Sequence, residues 1–268
     1  MTLLSSFRRV TLRLALTLPL VLASAEPAFA ADTIRDLTHA FDAQTIYWPT
    51  EPGFVLQQEK NGVTERGYFY ASNRFAAPEH GGTHIDAPHH FSKPGQTVEQ
   101  IPLTRLVGDG VCVDVSRRCA ADPDYLVTVE DLRDWEAEHG GSLEDKIVLL
   151  RTGYAAHLGD RTAYLGTSKT GEAAVQELHF PGLDPTAAEW LATKRRVKSV
   201  GIDTASIDNG PSQMFQSHVN LFRHNVPALE NVALPADLPP RGFRVVALPM
   251  KIAGGSGAPC RVIAIVAE

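Results

Sequence analysis

HGGTHIDAPHHF, residues 80–91, decides how this chain is read. It places His80, His84, Asp86, His89 and His90 in one short window. Imidazole nitrogen and carboxylate oxygen are the atoms that zinc and manganese take from proteins. His80, His84, Asp86 and His90 share one parity. Residues two apart on extended backbone face the same side, so His84 and Asp86 fit one strand face with Ile85 turned to the core. His80 and His84 would also share a helix face, but Gly81, Gly82 and Pro88 oppose a helix. The expectation is a glycine bend, a short strand ending near residues 87–88, and a turn that brings His90 back. His89 has the other parity and is expected outside the site.

Working outward, 268 residues with 44% hydrophobic and 21% charged content suit one large core and a single domain. A net charge of −6 gives no electrostatic footprint for nucleic acid. Residues 1–30 read as a signal peptide. Arg8 and Arg9 open it, an apolar run follows from Leu14 to Ala23, and Ala28-Phe29-Ala30 supplies an A-x-A cleavage site. The run is too short for a permanent anchor. Both the general secretory and the twin-arginine route use this layout, and the expected destination is the bacterial periplasm. The mature domain is then residues 31–268. Cys112, Cys119 and Cys260 are an odd count with no CxxC, so one stays unpaired if a bridge forms. Cys112 with Cys119 is the pairing that spacing allows, and buried free thiols are the other reading.

The remaining chain is rich in short strands. Strand patterns fall at residues 33–41, 54–58, 67–75, 101–103, 111–115, 147–151, 200–207, 245–252 and 261–267. Helices are expected over residues 128–138, capped by Thr128, and over 184–193, opened by Asp184-Pro185. The loop AGGSGAPC, residues 253–260, lacks the Lys-Ser/Thr of a phosphate cradle and reads as a turn near the site. Tyr47 and Trp48, with Phe69, are candidate walls of a pocket for a flat aromatic ligand. As neighbours on extended backbone, Tyr47 and Trp48 should point different ways, so at most one of the two is expected to face the ligand.

A ligand window this short needs partners from elsewhere in the chain. QSHVNLFRHNVPALENV, residues 216–232, offers His218, His224 and Glu230. Asp203 and Asp208 flank a buried strand and could also reach the site, although aspartates at strand ends often form caps and turns. Together with His80, His84, Asp86 and His90, these candidates exceed the four ligands of a closed structural zinc site and favour a catalytic one.

HGGTHIDAPHHF resembles the H-x-G-T-H-x-D-x-P-x-H signature of the bacterial cyclase-like metal-dependent hydrolases, a family that includes kynurenine formamidase and isatin hydrolase. The resemblance extends to Trp48-Pro49, FPGL at residues 180–183, GIDTASID at 201–208 and GGSGAPCR at 254–261. It implies an α/β (α+β) fold, a mixed β-sheet or barrel-like core with flanking helices. It implies His80, His84 and Asp86 as ligands of a first metal, and His218 and Glu230 as the downstream pair. His90 is implied as a second-metal ligand or a base, and no role is implied for His224. Binuclear members resemble this set with Asp86 and Glu230 shared. Isatin-hydrolase members carry an amide where Glu230 stands and hold one manganese, so one or two ions, zinc or manganese, stay open. The WEAEHG segment at residues 135–140 and the surroundings of Trp48 are nearer the isatin-hydrolase side. The implied activity is hydrolysis of an aromatic amide, cyclic like isatin or an aryl formamide like N-formylkynurenine. Metal-activated water attacks, and His90 or Glu230 shuttles the proton to the leaving nitrogen. A homodimer or homotetramer is also implied. The alternative reading is a periplasmic metal-binding protein without catalysis.

Overall fold

The ligand window lies on a strand that closes a ring. The computed structural model describes residues 32–267 and contains twelve strands. They are β1 (Thr33–Asp36), β2 (Val55–Val63), β3 (Phe69–Ala76), β4 (His84–Asp86), β5 (Val107–Asp114), β6 (Leu126–Val127), β7 (Ile147–Arg151), β8 (Gly182–Leu183), β9 (Ser199–Ile202), β10 (Ala228–Glu230), β11 (Phe243–Pro249) and β12 (Gly257–Val266). The main sheet runs β1-β12-β11-β5-β7-β9-β10-β4, and β4 pairs again with β12. Seven strands therefore form a closed, barrel-like sheet, with β1 laid along β12. The β5–β7, β7–β9 and β9–β10 pairs are parallel and need long crossovers, which is where the helices go.

Period-two alternation sorts the side chains. Ile85, Cys112, Leu149, Leu229, Val245 and Val262 come from strands around the ring and share one cluster inside it. Gly201 fills the β9 place, because a Cβ there would lie 2.6 Å from Leu149 Cδ2. Val111, Val113, Val148, Leu150, Val200 and Ile202 face outward under the helices. Residues 147–150 and 199–202 are buried on both faces, as parallel strands between helices and core must be. This is the mixed sheet with flanking helices expected from the sequence.

Helix Val129–His139 matches its expected span to within a residue. Thr128 and Asp131 form a capping box, Leu132 and Trp135 are buried, and Gly140 closes it at φ 59°. Asp184 caps helix Pro185–Trp190 through the Thr186 and Ala187 N–H groups. Three expected strands are corrected. Residues 101–103 do not form a strand; Pro102, fixed near φ −69°, starts the short helix Leu103–Leu106 instead. The first strand stops at Asp36, whose carboxylate accepts the Thr38 N–H. The strand expected over 200–207 stops at Ile202, because the next residue, Asp203, turns its carboxylate to the Thr152 and Gly153 N–H groups. All three cysteines are buried and free, so Cys112 and Cys119 do not pair. Burial pushes each thiol up to about 12. The signal-peptide reading of residues 1–30 lies outside the described residues. Among the described residues no helix is long and apolar enough to cross a membrane.

Candidate metal centre

Strand β4 is three residues long and does two jobs by parity. Ile85 points into the ring, opposite Leu229 of β10 and Ala258 of β12. His84 and Asp86 point to the other face, as the sequence predicts. His84 stands opposite Glu230, so the cross-strand pairing itself joins the early window to the late acid. Asp86 stands between Ala228 and Gly257, the two smallest neighbours available. That leaves space above Asp86 for rings arriving from elsewhere. His80 comes over Gly257, where an added Cβ would lie 2.5 Å from His80 Cε1. The bend that carries it there uses Gly81 at φ 150° and Gly82 at φ 56°. His218 arrives from helix Gln216–Phe222.

Hydrogen bonding fixes which ring nitrogens are free. His84 Nδ1 faces the Gly82 carbonyl at 2.9 Å, an acceptor only, so Nδ1 carries the proton and Nε2 the lone pair. His218 Nδ1 donates to Asp208 Oδ2 at 2.6 Å, which again leaves Nε2 bare. Asp208 also accepts the Ser217 and His218 N–H groups and so anchors the helix start. The bare His218 Nε2 lies 3.0 Å from Asp86 Oδ2 and 3.1 Å from Glu230 Oε1. The bare His84 Nε2 lies 3.0 Å from Asp86 Oδ1 and 3.4 Å from Glu230 Oε2, yet it is buried with no hydrogen-bond partner. Lone pairs facing carboxylate oxygens are satisfied by a cation. Two groups meet the requirement: His80, His84 and Asp86, and Asp86, His218 and Glu230, each with ligand atoms within 4.8 Å of one another. The mixed nitrogen and oxygen set fits zinc or manganese.

The field at the site is negative. Burial alone would lower the His84 pKa, but Asp86 and Glu230 outweigh it and raise it to about 9. His218 is likewise pushed down by burial and raised well above its ordinary value by Asp208, Asp86 and Glu230. Burial pushes the Asp86 carboxyl up, and the surrounding His80, His84 and His218 hold it well below the usual range. Protons thus take the place of a divalent ion when none is bound, which gives a pH signature. A histidine raised in the fold stabilises it fully below the unfolded value near 6.5 and loses that contribution as pH rises through about 9. Metal-free protein should lose stability on the order of 3 kcal/mol between pH 6.5 and 9.5, whereas metal-loaded protein should not. Urea unfolding at the two pH values checks this.

A cavity of about 380 Å³ opens onto these groups. Tyr47, Trp48, His90, Phe91 and Phe215 line it together with the ligand set. Tyr47 and Trp48 both face the cavity, against the expectation that at most one would. Tyr47 makes an isolated bridge to Gly81 and a turn follows Trp48, so the segment is not regular strand and its side chains need not alternate. Phe69 is a correction: it is 64% exposed and does not line this cavity. It opens β3, which pairs only with β2 in a ribbon exposed along nearly its whole length. His90 stands in the wall with its ring stacked on His80 at 3.8 Å, and belongs to neither ligand group. Burial pushes its pKa down to about 4, so it is neutral at physiological pH. His89 is exposed, and His224 pairs with Glu189 at 3.3 Å, away from the site. Asp203 holds the 152–155 turn, whereas Asp208 holds His218. Phe91 and Phe215 were not singled out in the sequence. Phe91 ends the signature and could have been found from it, but Phe215 reaches the cavity through an αL residue at φ 48° that no pattern announces.

Known proteins resemble this chain in sequence and in fold. Residues 35–209 match the Cyclase family model, described as "Putative cyclase". The chain is 35% identical over 209 residues to isatin hydrolase of Roseibium aggregatum, covering 75% of this chain and 76% of that protein. It is 25% identical to kynurenine formamidase of Bacillus cytotoxicus over 85% of this chain and 95% of that one. Among solved structures, isatin hydrolase A from Ralstonia solanacearum superposes with a TM-score of 0.79 at 31% identity, over 88% of this chain and 92% of that chain. The model match spans well over half of the chain and the relative from Roseibium aggregatum is 35% identical over three quarters of it, so the chain belongs to the cyclase family of metal-dependent hydrolases.

Proposed function

We propose that the protein is a metal-dependent hydrolase of aromatic amides, with a cyclic amide of the isatin class as the preferred substrate. The observation that carries the reading is the buried, unpartnered His84 Nε2 facing two carboxylates beside an aromatic-walled cavity. Divalent zinc or manganese at the His80–His84–Asp86 and Asp86–His218–Glu230 positions would supply Lewis acidity and water with a pKa near about 7. The chain does the rest. Trp48 and Phe215, at 6.3 Å in an edge contact, with Phe91 form apolar walls that suit a flat ring. Tyr47 is a further wall of the same cavity, and its hydroxyl is buried with no hydrogen-bond partner among the described residues. His90, neutral and at the cavity wall, takes the proton of the attacking water and returns it to the leaving nitrogen. The amide C–N bond breaks, the water oxygen stays on the acyl carbon, and the amine carries off the proton.

A non-catalytic metal-binding protein would need neither an aromatic cavity nor a neutral histidine outside the ligand groups. The isatin-type substrate is favoured by the relatives at 35% and 31% identity and by the export expected of residues 1–30. Purified protein should contain zinc or manganese and should open isatin faster than it cleaves N-formylkynurenine or a simple lactam. A metal-free preparation that turns over isatin at full rate, or a metal-loaded one inert on the whole panel, overturns the proposal.

A further inference from the structure

His80 differs from the other two histidines in how its free nitrogen is chosen. His84 is oriented by a backbone carbonyl and His218 by a carboxylate. His80 Nε2 instead meets the Ser256 hydroxyl at 2.8 Å, and a hydroxyl can either donate or accept. What settles the direction is the next residue along. Glu79 Oε2 lies 2.7 Å from Ser256 Oγ, and an ionised carboxylate only accepts. Ser256 must therefore donate to Glu79, and its remaining lone pair accepts from His80 Nε2–H. The His80 proton is thereby held on Nε2, and Nδ1 carries the lone pair, 2.6 Å from Asp86 Oδ1. Two electron-pair donors that close together are satisfied by a cation that both of them bind.

The same carboxylate fixes the loop that carries Ser256. Glu79 Oε2 accepts the Ser256 N–H at 2.9 Å and the Gly257 N–H at 3.3 Å. Gly257 is the residue over which the His80 ring lies. Glu79 thus sets both the proton on His80 and the floor beneath it, although it belongs to neither ligand group. We propose that Glu79 and Ser256 form a positioning relay that commits His80 Nδ1 to metal binding. The inference rests on the metal-site reading above. Carboxylates and hydroxyls that orient a ligating histidine typically contribute 10- to 100-fold in metal affinity or activity.

The test compares wild type, Ser256→Ala, Ser256→Thr, Glu79→Gln and the Ser256→Ala/Glu79→Gln double variant. Zinc affinity is read by competition with a chelator, and the His80 tautomer by long-range proton–nitrogen NMR of the zinc-loaded protein. Ser256→Ala should weaken zinc about 10- to 100-fold, Ser256→Thr should restore binding, and the double variant should be no weaker than the worse single one. The wild-type His80 should show a protonated Nε2 and a metal-shifted Nδ1. Folding is checked by melting of the zinc-free proteins. Folded Ser256→Ala and Glu79→Gln variants with wild-type zinc affinity, or a wild-type His80 protonated at Nδ1, overturn the relay while leaving the metal site intact. Wild type that binds no zinc overturns the metal-site reading and the relay with it.

Discussion

Asp86→Asn should strip the protein of metal and lower kcat/KM by about 10³-fold or more, because it removes the one charge that both ligand groups share. Asp86 Oδ1 lies 2.6 Å from His80 Nδ1 and 3.0 Å from His84 Nε2, and Oδ2 lies 3.0 Å from His218 Nε2. Among the described residues no other carboxylate is paired with all three histidines; Glu230 reaches His84 and His218. The amide has almost the same shape, so neither Ala228 nor Gly257 on either side is disturbed. Its NH2 can donate to one of the bare imidazole nitrogens, which fills the hydrogen-bonding deficit that a cation otherwise fills. The variant should therefore fold, and its melting temperature should no longer respond to added zinc or manganese. Wild type should gain stability with either ion in proportion to the logarithm of its concentration. Elemental analysis and isatin turnover decide the matter. An Asp86→Asn protein that keeps stoichiometric metal, or one that is metal-free and fully active, contradicts the assignment.

Much of this site was legible because local periodicity carried it. Same-side His84 and Asp86 with Ile85 opposed is a period-two statement about three residues, and β4 obeys it. The Gly81-Gly82 bend and the Pro88–His90 turn follow from backbone chemistry alone. The helix start at Thr128 likewise needs only its own capping residues. What sequence could not supply were relations between distant segments. That Ala228 and Gly257 flank Asp86 depends on a register linking residues more than 140 positions apart. That Asp208 orients His218 depends on the chain leaving β9 and doubling back, so an aspartate readable as a turn former serves the site instead. The pairing of Glu79 with Ser256 spans 177 positions and needs the same β4–β12 closure. Phe69 went the other way. Its alternating neighbourhood correctly marks a strand, but alternation does not say whether a strand joins the closed sheet or projects from it.

Glu230→Gln is expected to divide the centre in two. Glu230 approaches His218 through Oε1 and His84 through Oε2, at 3.1 and 3.4 Å, so its carboxylate spans both ligand groups. Oε1 also accepts the buried Ile207 N–H at 2.7 Å. Glutamine keeps that backbone bond through its amide oxygen, which avoids a buried unpaired donor worth about 1–3 kcal/mol. Its NH2 end then turns toward His84 and withdraws one negative charge from the shared position. The His80–His84–Asp86 group keeps all three of its ligands, whereas the Asp86–His218–Glu230 group loses one of its three. Metal content should fall from two ions per chain to one, and kcat should drop about 100-fold while KM changes little, since the aromatic walls at Trp48, Phe91 and Phe215 are untouched. If wild type itself binds a single ion and Glu230→Gln neither alters that stoichiometry nor slows turnover, the second position is not a metal site. Glu230 is then left as the acceptor that ties Ile207 to the end of β10.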